Sequence, residues 1–159
     1  MAIFIGIGAL VVAVLVGATL LGTKKNHLQL DGRILHVRVL ALNPKASIVV
    51  VDFRARNPSA VQFMVKDVRM EFDPASGDAV DGQSISKPDM ENVFKYEKLL
   101  GPQYNDVLAI PDRIAPHQSE DRMFGARFEV GEAAIDARKG IRLRIEDMDG
   151  ATAELSEAK

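Results

Sequence analysis

The chain has 159 residues, 47% of them apolar and 26% charged, which is enough for one domain with a real core and too apolar for a disordered segment. Twenty lysines and arginines against 22 carboxylates leave a net charge of −2, and with no tryptophan and few aromatics there is neither a field nor a stacking platform for nucleic acid. The absence of cysteine excludes disulfides, thiolate zinc sites, a cysteine nucleophile and lipoprotein acylation, while leaving the redox compartment open.

Residues 2–22, "AIFIGIGALVVAVLVGATLLG", carry no charge. As a helix at 1.5 Å per residue they would cover roughly the 30 Å hydrocarbon layer of a bilayer. The basic leader and small-residue cleavage site of a signal peptide are missing, so residues 1–23 are expected to be an uncleaved single-pass anchor, with the bilayer as partner of residues 2–22. Lys24 and Lys25, with Arg33 and Arg38, follow the span, and this excess favours a cytoplasmic domain; either side stays open. Ala9, Ala13 and Gly17 recur at four-residue spacing, read mainly as filler in the span and otherwise as a close-approach face.

After a linker at 24–32 the period changes to two. Ile34, His36, Arg38 and Leu40 share one side of a predicted strand and Leu35, Val37, Val39 and Ala41 the other. "NPKAS" turns the chain into a second strand, where Val49, Val51, Phe53 and Ala55 are expected inside and Val50, Asp52, Arg54 and Arg56 in water. Asn57-Pro58 then interrupts, because proline cannot donate to a ladder and holds its predecessor extended; the pair is predicted to be a corner between sheets. In "VQFMVKDVRMEF" the apolar phase changes, which places a bulge near residues 65–67.

"DPASGD" is a turn and "AVDGQSIS" a short strand. Met90, Val93, Phe94 and Leu100 fit an amphipathic helix, opened by a capping box from Ser86 to Asp89 with Pro88 in the first turn and stopped by Gly101-Pro102. A short strand in "DVLAIPDRIAPHQ" precedes a long one whose Arg122, Phe124, Ala126, Phe128 and Val130 share a phase. "GEAAIDARKG" makes a helical turn or two, and "IRLRIEDMDGATAEL" a hairpin closed at Asp149-Gly150. Seven or eight short strands without a repeated βαβ unit predict an antiparallel β-sandwich of immunoglobulin-like kind, with one or two short helices as connections.

The run "VVVDFRARNPSAVQFMVKDVRMEFDPASGDAVDGQSIS" resembles the late embryogenesis abundant type 2 family, whose variant is the WHy (water stress and hypersensitive response) domain. The shared pattern is an alternating strand, an Asn-Pro corner, a V-x-x-V-x-M-x-F strand and a short strand after a polar turn. The order of "RIAPHQSEDRMFGARFEV", the "EAAIDARKG" helix and the final hairpin is also similar, so the resemblance spans residues 33–155 and leaves a 156–159 tail. It implies a sandwich of about seven strands without catalytic residues, often membrane-anchored, in stress protection or lipid handling. "KPDMENVFKYEKLLGPQYN" is longer than the family's usual connection.

No catalytic constellation emerges from the residues themselves. His27, His36 and His117 are scattered, and Asp73, Asp78 and Asp81 crowd one turn without the spacing of a calcium loop, so neither metal nor cofactor is expected. "GIGAL" lacks the third glycine of a dinucleotide fingerprint, and no nucleophile elbow, P-loop or His-Glu-x-x-His occurs. Arg138, Lys139, Arg142 and Arg144 form a basic strip that, with Lys24 and Lys25, is a candidate contact for anionic headgroups; the plainer reading is a solvated strand face. The expected function is a non-enzymatic, anchored sandwich that binds a partner or protects surfaces under stress. The alternatives are lipid handling between sheets near Phe63, Phe72, Phe94 and Phe128, and an accessory subunit of a membrane or envelope assembly.

Overall fold

A computed structural model describes residues 29–157; the expected anchor and Lys24 and Lys25 lie outside them. Among the described residues no helix is long and apolar enough to cross a membrane. The described residues form ten strands in two sheets. In chain order they are β1 (Asp31–Asn43), β2 (Ala46–Arg56), β3 (Phe63–Asp73), β4 (Val80–Asp81), β5 (Gln83–Ser84), β6 (Asp106–Val107), β7 (Arg113–Ile114), β8 (Ser119–Phe128), β9 (Gly140–Asp147) and β10 (Thr152–Ser156). Helix α1 (Lys87–Tyr96) and a 3₁₀ turn (Lys98–Leu100) lie between β5 and β6, and α2 (Glu132–Asp136) between β8 and β9.

The first sheet runs β1-β2-β8-β5 with β6 beside β8, and the second β10-β9-β3-β4 with β7 beside β3. All pairings of the named strands are antiparallel except that of the two-residue β6, which runs parallel to β8. Between the sheets lies one core. Val49, Val51, Phe53, Ala55, Phe124, Ala126 and Phe128 of the first sheet meet Phe63, Val65, Val68, Met70, Phe72, Ile141, Leu143 and Ile145 of the second. Alternation at period two delivers these side chains to one face. The phase change in β3 is a register shift between Val65 and Asp67, as expected from the sequence.

β1 departs from the expected alternation. A shift between Ile34 and His36 turns Ile34 into the inter-sheet core, while Arg38 and Leu40 point to the opposite face of the sheet. A bulge moves every following side chain to the other face.

The corner at Asn57-Pro58 is built by the asparagine. Buried Asn57 closes the first sheet by donating its backbone N–H to the Gln118 carbonyl at 2.9 Å. Its side-chain amide donates to the carbonyls of Val61 at 2.7 Å and Ile114 at 3.1 Å, and its Oδ1 accepts from the N–H and hydroxyl of Ser59 at 3.0 and 2.7 Å. The chain thus leaves β2 in one sheet and enters β3 in the other around one satisfied amide. The opposite hairpin, β9 to β10, turns where Gly150 takes φ +86°, a region closed to most side chains.

Replacing Asn57 by Ala removes the side-chain donor to the buried Ile114 carbonyl and opens the turn at Ser59. The expected loss is about 1–3 kcal/mol, read as a lower urea midpoint at unchanged m-value.

Candidate functional site

The segment between β5 and β6 crosses the outer face of the first sheet and gives the molecule its most distinctive feature. Ser86 caps α1, accepting from the Asp89 N–H at 3.4 Å while its hydroxyl donates to the Asp89 carboxylate at 2.6 Å, and Pro88 lies in the first turn. The helix stops at Tyr96, earlier than the Leu100 expected from periodicity. The chain tightens into the 3₁₀ turn and then reverses at Gly101, whose φ is +72°.

Beneath this strap is a second apolar cluster. Met90 and Leu100 from above, with Val93 and Phe94 partly buried, close over Leu40, Ile48, Val50, Met123 and Val107. Met90 seats over Gly125 of β8, where a Cβ would collide with the methionine sulfur. The glycine is therefore a notch for the strap. This corrects the expected exposure of β2, because Val50 and Asp52 are buried under α1 and the 3₁₀ turn while Arg54 and Arg56 remain in water.

One ion pair fixes the strap. The Arg38 guanidinium donates to Asp52 Oδ2 at 2.7 Å, and through its other terminal nitrogen to the carbonyls of Leu100 at 3.0 Å and Pro102 at 2.9 Å. It also lies over the rings of Phe94 and Tyr104, with centroids at 4.9 and 5.3 Å. The second oxygen of Asp52 accepts from the Asn105 amide at 2.9 Å. Asp52 is fully buried, so the carboxylate has left water and is held by two donors, one of them charged. Beside it Arg54 and Asp121 form a two-bond pair at 2.7 and 2.8 Å, and the guanidinium hydrogen bond holds the Asp121 carboxyl below the usual carboxylate range. The strap's upper side forms an open groove of ≈ 560 Å³ lined by Glu91, Phe94, Lys95, Lys98, Gly101, Pro102 and Gln103.

Chemically this arrangement holds main chain in place. Asp147, the other buried carboxylate among the described residues, accepts from the N–H groups of Met64 at 2.6 Å and Asp149 at 2.9 Å and shapes the last hairpin in the same manner. Among the described residues no group of three potential metal ligands occurs.

The residues singled out from the sequence fall elsewhere. Asn57 and Pro58 form the sheet-to-sheet corner, as expected. Arg138 makes a two-bond pair with Glu157 at 2.6 and 2.9 Å. Arg142 meets Glu71 and Asp73 at 3.0 and 2.8 Å, and Arg144 meets Glu71 and Glu154 at 3.2 and 3.1 Å. Only Lys139 of the strip stands exposed without an ion pair among the described residues. The strip is thus interleaved with carboxylates and presents no basic field. The four phenylalanines are not one site either. Phe63, Phe72 and Phe128 fill the inter-sheet core, with Phe72 and Phe128 edge to face at 6.1 Å, whereas Phe94 belongs to the strap on the far side of the first sheet. Sequence reasoning missed Arg38, Asp52, Tyr104 and Asn105. The available signal was the unbroken Val49-Val50-Val51 run, which marks a strand covered on both faces.

No family model matches the chain, and no curated protein does. Among solved structures it is similar to an uncharacterized β-sandwich protein from Clostridium difficile 630, at 10% identity over 81% of this chain and 85% of that one, with a TM-score of 0.43.

Two substitutions separate the roles of the pair. Asp52→Ala leaves a guanidinium under the strap without its counter-charge, with an expected loss of about 3–5 kcal/mol in thermal or urea unfolding. Arg38→Lys keeps a charge for Asp52 but cannot reach both carbonyls, so amide exchange is expected to accelerate over residues 98–107 while β2, β3 and β8 keep their protection.

Proposed function

We propose that the chain is a membrane-anchored, non-enzymatic β-sandwich of immunoglobulin-like kind that binds a partner or protects surfaces under stress, similar to late embryogenesis abundant type 2 proteins. One observation carries the non-enzymatic half. Both buried carboxylates among the described residues, Asp52 and Asp147, have each oxygen engaged by donors that hold main chain or strap, so neither is free to act as base, acid or ligand. The anchoring half rests on the uncharged stretch at 2–22, which ends a few residues before β1. Phe63, Phe72 and Phe128 are packed into the inter-sheet core, which favours this reading over lipid handling between the sheets.

Alkaline carbonate washing of membranes from expressing cells should leave the full chain in the pellet and release a chain lacking residues 2–22; release of the intact chain overturns the anchor. Vesicles carrying the full chain should retain an entrapped dye through drying and rehydration better than bare vesicles. Equal leakage counts against the protective role, and a turnover abolished by Asp52→Asn counts against the absence of catalysis.

A further inference from the structure

The strap's lower side is packed on the sheet, and the strap leaves three large apolar or aromatic side chains mostly in water. Leu99 and Leu100 are adjacent; Leu100 is 2% exposed in the second cluster and Leu99 is 87% exposed. Tyr96 and Tyr104 are 69% and 66% exposed on the same segment. All three fall within the nine residues 96–104 of the strap, where Tyr104 also stacks on the Arg38 guanidinium that bonds the Leu100 and Pro102 carbonyls. Lys95 and Lys98 sit among them, lining the groove, and neither has a carboxylate within ion-pair distance among the described residues.

We infer that this upper side of the strap is a membrane-interface contact, in which Leu99 enters the acyl boundary while Tyr96 and Tyr104 lie at headgroup level. The inference rests on the reading of residues 2–22 as a span, and deepens it by assigning the domain's orientation. Tyrosines beside a projecting leucine, with lysine heads that can reach outward, are the residue types that partition to the bilayer interface. The bilayer is favoured over a protein partner because the chain brings it within reach. Eight residues, 23–30, separate the apolar stretch from β1 and can extend to about 28 Å. Arg38, under the strap, is seven residues into β1, or about 23 Å along the strand. The domain can therefore lie with the outer face of its first sheet against the membrane that holds it.

Charge contributes little to this contact. Residues 87–105 hold three lysines, at 87, 95 and 98, against Asp89, Glu91 and Glu97, so apolar and aromatic insertion carries the contact and its dependence on anionic lipid is weak.

The absence of cysteine allows a clean test. Full chains carrying Leu99→Cys, or Arg69→Cys on the outer face of the second sheet as control, are labelled with an environment-sensitive fluorophore and reconstituted into vesicles of phosphatidylcholine, with and without phosphatidylserine, containing bromine on the upper acyl carbons. At position 99 the emission should shift to the blue and lose most of its intensity to bromine in both lipid mixtures, while position 69 stays as in water. A water-like label at 99 in chains that still float with the vesicles overturns the inference and leaves the anchor standing. Failure to float overturns the anchor itself. Quenching only with phosphatidylserine, or protection at 99 in cell membranes but not in vesicles, overturns apolar insertion in favour of electrostatic docking or of a protein partner respectively.

Discussion

A guanidinium taken largely out of water needs acceptors, and the way the terminal nitrogens of Arg38 find them organises the outer half of this molecule. Its partners come from two places far apart in sequence: Asp52 on the neighbouring strand, and the Leu100 and Pro102 carbonyls of the strap. A buried pair of this kind adds little net stability, since desolvation offsets most of the attraction. Its effect is on position. The two terminal nitrogens of Arg38, though not Nε, find these partners with the strap in the register that seats Met90 over Gly125 and Leu100 in the cluster with Leu40 and Val107. The apolar burial supplies the driving force, roughly 1.5–3 kcal/mol for each large side chain, and the ion pair selects among the ways of burying it.

Removing the strap in thought shows why the selection matters. Leu40, Ile48, Val50 and Met123 would form a bare apolar face on the first sheet, where the sandwich otherwise shows water Arg54 and Arg56. A sandwich needs one apolar face per sheet; this first sheet has two, and the second is roofed by the segment between β5 and β6.

What the sequence disclosed is what nearest neighbours determine. The capping of α1 by Ser86, the turn at Gly150, the bulge at residues 65–67 and the corner at Asn57-Pro58 follow from residues within a few positions of one another, and each is present. The destination of the strap is not of that kind, because its contacts join residues 53 to 64 positions apart. Nor is the fate of the basic strip. Whether Arg142 and Arg144 face lipid or carboxylate depends on register, which sets Arg142 opposite Glu71 and Arg144 opposite Glu154. The bulge in β1 reversed Arg38 relative to Ile34 for a similar reason, since no residue type announces a one-residue slip in an apolar strand.

The strap also resolves a conflict that a simple cover would not create. A roof over four apolar side chains could end in polar residues on its dry side and its wet side alike, and the wet side of α1 does so at Asp89, Glu91 and Asn92. From Tyr96 onward it does not: the chain turns Leu99 outward beside an inward Leu100, and Tyr104 lays one face on Arg38 and leaves the other open. Leu99 gains nothing from burial in the isolated domain, and Tyr96 and Tyr104 leave most of their surface in water, a cost that a partly apolar surface would offset. The bilayer proposed above as partner of the uncharged stretch at 2–22 would be such a surface.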